Sequence, residues 1–100
     1  MTLSEYERSA GRTINPALSD RDRLLDAAAG LAEESGEVLG LVRKHLMQGR
    51  GLDAARLREE LGDALWCLTI AAQSAGLTLD DVAQANVAKL TQRHPGGFQA

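Results

Sequence analysis

One hundred residues suffice for one modest core and leave no room for a separate substrate domain, so residues 1–100 read as a single domain. With 44% apolar but only 3% aromatic residues, the composition suits closely packed helices better than the β-branched and aromatic habit of sheets. A net charge of −3 gives no basic field for a nucleic-acid backbone, and the single Cys67 excludes an intramolecular disulfide and a thiolate zinc site. No apolar run of about 18 residues and no apolar signal core is present. The expectation is an all-α, cytoplasmic protein that engages neither nucleic acid nor membrane.

Thr2 with Glu5 and Ser4 with Glu7 are overlapping capping-box patterns, which predict a short first helix to about Arg12. Asn15-Pro16 breaks the chain, and Ser19 followed by Asp20 and Asp22 starts a second helix at its positive dipole end. Leu24, Ala28, Leu31, Ser35, Val38, Val42 and Leu46 recur at steps of three and four, a long amphipathic stripe. After the short turn around Gly49 and Gly51, Asp53 caps a third helix with Leu57, Leu61, Ala64, Leu65, Leu68, Ala72 and Ala75 as its stripe. So short a connection implies antiparallel neighbours. Gly76 ends that helix, Thr78 with Asp81 begins a fourth, and Pro95-Gly96-Gly97 stops it after Arg93. The fold class expected is all-α, a four-helix, bundle-like protomer.

Two acidic clusters carry the chemistry. Glu33, Glu34 and Glu37 lie on the second helix and Glu59, Glu60 and Asp63 on the third. At 100° per residue, Glu34 and Glu37 sit about 85° and 145° to one side of their stripe, and Glu60 and Asp63 at about the same angles from theirs. In antiparallel helices that face each other, shoulders of the same hand fall on one side of the pair. Counted from the turn, the two acidic pairs differ in height by about 7 Å, so the four carboxylates converge on one patch. Stabilising surface acids usually have a basic neighbour three or four residues away, worth roughly 0.2–0.5 kcal/mol. Glu33, Glu34, Glu37 and Asp63 have none, and Gly30, Gly36 and Gly62 interrupt the same helices at about 1 kcal/mol each relative to Ala. Oxygens gathered without imidazole or thiolate suit Mg²⁺, or Mn²⁺ in its place, rather than zinc.

Glu33-Glu34-Ser35-Gly36-Glu37, followed by Glu60-Leu61-Gly62-Asp63 and the closing stretch from Asn86 to Phe98, resembles the MazG-like, all-α nucleoside triphosphate pyrophosphohydrolases. The resemblance implies Glu34, Glu37, Glu60 and Asp63 as metal ligands and Glu33 as the residue that orients or deprotonates the attacking water. It implies attack at the α-phosphorus, with a nucleoside monophosphate and pyrophosphate as products and a house-cleaning or pool-control role. It also tilts Asn86, Lys89 and Arg93 toward substrate binding. Related alternatives are phosphoribosyl-ATP pyrophosphohydrolysis and, in another class, a catalytically silent helical module that binds a cation or a partner.

Asn86 projects from the apolar arc of the fourth helix, a position that calls for a buried polar partner. Trp66 and Ile70 form a second apolar face on the third helix, expected to cover another helix or subunit, and with it a homo-oligomer, dimer or tetramer. Tyr6 and Arg12 are expected to serve surface packing rather than base recognition. Cys67 reads as a small packing residue, and the isolated His45 and His94 receive no catalytic role.

Overall fold

The computed structural model describes residues 1–99. Four helices follow in order, α1 (Leu3–Gly11), α2 (Asp20–Met47), α3 (Ala54–Ser74) and α4 (Leu79–Arg93), and no strand forms among the described residues. Their starts lie where local side-chain chemistry puts them. Thr2 and Thr78 form reciprocal capping boxes with Glu5 and Asp81, and Ser19 and Asp53 accept from the third amide of α2 and α3. At the end of α3, Gly76 adopts φ +77°, its N–H reaches the Gln73 carbonyl at 3.0 Å, and the Leu77 N–H reaches that of Ala72 at 2.8 Å. This pair of bonds is a Schellman closure, which requires the left-handed conformation that glycine supplies at least cost.

The helices do not enclose a common core. α2 and α3 pair along their length as an antiparallel hairpin, α1 and α4 lie on α3 and on each other, and α4 does not pack against α2. Apart from Gly40, the least exposed positions of α2 are Arg23, Ala27, Gly30, Leu31, Glu34, Val38, Leu41, Val42 and His45, a line centred near Glu34. On α3 the corresponding line runs through Leu57, Glu60, Ala64, Cys67, Ala71 and Ser74. Both helices are therefore turned by about 70° from the orientation their leucine stripes predict. Leu24, Leu46, Leu61, Leu65 and Leu68 are left exposed, Leu46 to 67%. The reason is close approach through small residues. A Cβ on Gly30 would lie 2.8 Å from the Cys67 Sγ, whereas Gly36 and Gly62 have no neighbour within 4 Å and receive no packing explanation from the protomer.

Trp66 and Ile70 do face another helix, but it is α1 of the same chain. Ile70, only 1% exposed, packs with Ala10 and Ala27, and Tyr6, Ile14 and Trp66 surround them. The Trp66 Nε1–H donates to Thr13 Oγ1 at 2.7 Å, and the Thr13 hydroxyl donates to the Ala10 carbonyl at 2.8 Å. That face consequently carries no argument for self-association. Glu7 accepts from the Leu79 N–H at the start of α4, and Gln73 Nε2 donates to the Glu7 carbonyl at 3.0 Å, so α1 bridges α3 and α4.

Beyond Ala83, every described residue of α4 and the segment after it is exposed. The radius of gyration is 16.2 Å, against about 13 Å for a compact chain of this length. The accessible surface is 7367 Å², whereas a monomer of this mass exposes about 5,500 Å². No helix among the described residues is long and apolar enough to cross a membrane.

Candidate metal centre

Turning Glu34 and Glu60 toward each other brings their carboxylates between the paired helices. Glu34, Glu60 and Asp63 each offer an oxygen within 4.8 Å of the other two. Glu34 and Glu60 are half-buried, while Asp63, one turn further along α3 than Glu60, is exposed at the flank. The opening between the helices that admits these side chains is set by Gly30, one turn before Glu34, against Cys67, one turn after Asp63.

Electrostatics make this arrangement expensive without a counter-ion. Glu34 Oε2 is buried and has no hydrogen-bond partner. The Glu34 carboxyl is pushed up to about 7, first by the Glu60 carboxyl beside it, then by desolvation and by the charges of Asp63, Glu60 and Glu33. Burial, and next the charge of Glu34, pushes the Cys67 thiol up, and the side chain is buried against Gly30 as a packing residue. An orphaned carboxylate oxygen beside two more carboxylates, with only oxygen donors, fits a hard divalent cation. Glu34, Glu60 and Asp63 are the residues that could hold it.

Glu37 is not part of that trio. It is exposed one turn beyond Glu34, on the flank of α2 that lies on the same side of the hairpin as Asp63. Glu33 is exposed on the same flank, near enough for its charge to act on Glu34.

The α4 residues are elsewhere. Asn86 is exposed rather than buried with a polar partner, and it lines an apolar cavity of about 370 Å³ with Leu65, Leu68, Val82 and Ala83. Leu65 and Leu68 lie about 140° and 80° around α3 from Glu60, in the sense opposite to Asp63. The protomer therefore keeps Asn86 on the far side of α3 from the carboxylates, and Lys89 and Arg93 are exposed beyond it on the same helix. Arg12 is exposed beside Glu5, Arg8 and Ser9.

Tyr6, expected to serve surface packing rather than base recognition, is half-buried against α3. Its ring packs on the Ile70 cluster, and its phenol is pushed up by burial, opposed by a bond to Thr69 and reinforced by the charge of Asp63. The signal available was the matched spacing of Tyr6 and Ala10 on α1 against Trp66 and Ile70 on α3.

The family model of the MazG nucleotide pyrophosphohydrolase domain matches residues 24–98, three quarters of the chain. Neither a curated protein nor a solved structure matches it.

Proposed function

Because the chain belongs to the MazG nucleotide pyrophosphohydrolase domain family, we propose that it hydrolyses a nucleoside triphosphate at the α-phosphate, releasing a nucleoside monophosphate and pyrophosphate. The observation that carries the reading is the orphaned Oε2 of Glu34 between the Glu60 and Asp63 carboxylates. Glu34, Glu60 and Asp63, joined by Glu37 from the adjoining turn, hold Mg²⁺, with Mn²⁺ as a substitute. When bound, the ion supplies positive charge that lets a polyanionic triphosphate approach four carboxylates.

The chain's own residues do the rest. Glu34, whose carboxyl is pushed up to about 7, gives up its proton to solvent when the site loads. Glu33, on the open flank, orients the attacking water and takes its proton on a carboxylate oxygen. The role is house-cleaning or pool control in the cytoplasm, carried by residues 1–100 as one domain.

The protomer works as a homo-oligomer, a dimer or a tetramer. Its surface exceeds that of a monomer of the same mass by about 1,900 Å², more than the roughly 800 Å² each partner contributes to a standard interface. The leucine stripes of α2 and α3 share the side of the hairpin opposite the acidic flank, so a second copy covers them without closing the groove. Asn86, Lys89 and Arg93 then meet substrate only at a neighbouring protomer's carboxylates, which ties their role to assembly.

The test is a panel of nucleotides with Mg²⁺, phosphoribosyl-ATP included, scored for monophosphate and pyrophosphate, with Glu37→Gln, Asp63→Asn and Glu33→Gln alongside. The first two variants are expected to keep the fold and lose activity, whereas Glu33→Gln loses turnover far more than metal affinity. Orthophosphate with a nucleoside diphosphate as products would overturn the mechanism. No release from any substrate, with Mg²⁺ still raising the melting temperature, would leave a binding module.

A further inference from the structure

Five of the eleven lysines and arginines, Arg43, Lys44, Arg50, Arg56 and Arg58, fall within residues 43–58, where Asp53 is the only acid. The end of the hairpin formed by the α2–α3 turn is thus strongly positive in a chain of net charge −3. Three of these cations, Lys44, Arg50 and Arg56, line a cavity of about 230 Å³ together with His45 and Asp53. None of the three has a carboxylate partner among the described residues, where the ion pairs are Arg21 with Asp22 and Arg23 with Asp20. Asp53 is occupied in accepting from the Arg56 N–H at 3.1 Å.

The backbone that carries the cations has a defined path. Gly49, at φ +66°, reverses the chain, the Arg50 N–H donates to the Lys44 carbonyl at 3.4 Å, and the Arg50 carbonyl accepts from His45 Nδ1 at 2.7 Å. The cavity also has a defined place relative to the carboxylates. Lys44 lies about 20° from Glu37 around α2, and Arg56 about 20° from Asp63 around α3, so all four share one side of the hairpin. Along the axis, Arg56 precedes Glu60 by about 6 Å and Asp63 by about 10 Å. Acid and base therefore follow each other in one groove, with α1 and Tyr6 beside the Asp63 end and the basic turn at the other.

We propose that the cavity at the α2–α3 turn takes the terminal two phosphates of the substrate, so that the triphosphate lies along the groove with its pyrophosphate portion at the turn and its nucleoside toward α1. This rests on the hydrolase reading. Pyrophosphate is the most highly charged part of the substrate, and carboxylates alone repel it. Unpaired guanidinium groups next to them receive it by charge-assisted bonds, which arginine makes in bidentate form. The α4 cations lie across α3 from this groove and do not compete for that place within the protomer.

The experiment is calorimetric titration of the full chain with inorganic pyrophosphate in Mg²⁺, and separately with a nucleoside monophosphate. The doubly substituted Lys44→Gln/Arg50→Gln protein is compared with Arg43→Gln/Arg58→Gln, which removes the same charge from exposed positions about 160–180° around the helices from the Glu34 and Glu60 line. The cavity pair is expected to weaken pyrophosphate by at least about tenfold, the loss of one charge-assisted hydrogen bond, with monophosphate affinity retained. Undiminished pyrophosphate affinity, equal weakening by the outer pair, or equal loss of monophosphate would each overturn the assignment. If no triphosphate is cleaved, the hydrolase reading falls by itself, while the pyrophosphate titration still decides whether the turn is an anion site.

Discussion

Adding one methyl group at Gly30 probes the contact that sets the width of the carboxylate opening. The new Cβ would stand 2.8 Å from the Cys67 Sγ and 3.9 Å from its Cβ, so the whole conflict rests on one sulfur atom. Alanine regains about 1 kcal/mol of helix propensity, while forcing an extra carbon into a packed contact costs about 1–3 kcal/mol. Gly30→Ala is therefore expected to be neutral to about 2 kcal/mol destabilising. Because Glu34 and Asp63 each lie one turn from the contact, separating the helices there should also weaken Mg²⁺ binding. Cys67→Ala removes the obstructing sulfur, so the double variant should recover both properties, with a favourable coupling energy of about 1–3 kcal/mol in a double-mutant cycle. Urea unfolding and Mg²⁺ titration of the four proteins measure this. If Gly30→Ala stabilises by about 1 kcal/mol whether or not the Cys67 sulfur is present, the close approach of α2 and α3 is refuted.

In metal-free protein, Glu34 binds its proton up to about pH 7, against 4.5 as its ordinary value, so the folded state holds more protons than the unfolded chain between those limits. Stability should fall as pH rises from about 4.5 to 7 and level off above, and Mg²⁺ should raise the melting temperature more at pH 8 than at pH 5.5. Equal Mg²⁺-induced shifts at the two values would contradict this, and Glu34→Gln should flatten the dependence. Trp66→Phe removes the donor to Thr13 Oγ1 and should cost about 1 kcal/mol in urea unfolding; an unchanged midpoint would mean that the bond does not fasten α1. Leu65→Lys, on the exposed leucine flank, should yield folded monomers in sedimentation analysis, and a wild-type chain that is already monomeric at micromolar concentration would remove the basis for assembly.

Helix ends were legible because capping is local: Thr2, Ser19, Asp53, Thr78 and Gly76 act within a few residues of themselves. The carboxylate trio was legible in part, since equivalent shoulders on antiparallel helices meet whatever the details. Rotation about each helix axis was not. Periodicity counts where Leu24, Leu61 and Leu65 point relative to one another, yet whether they face the sister helix or another body depends on which pairing lets the backbones approach most closely. Ala27, Gly30, Ala64, Cys67 and Ala71 decided that in favour of the carboxylate side. The same rotation explains why Glu34 and Glu60 turn inward while Glu37 stays at the flank. Asn86 was misjudged for a related reason: its apolar neighbours on α4 belong to a surface that the protomer leaves open.

The bare second half of α4 has a consequence for handling the protein. A helical segment of some ten residues with no tertiary support is marginal in water, so in the proposed assembly a neighbouring copy would supply the contacts that keep it wound. Dilution would then unwind the arm bearing Lys89 and Arg93 before it disturbs the capped hairpin. Amide exchange rates in that arm would report on association more directly than enzymatic rates do.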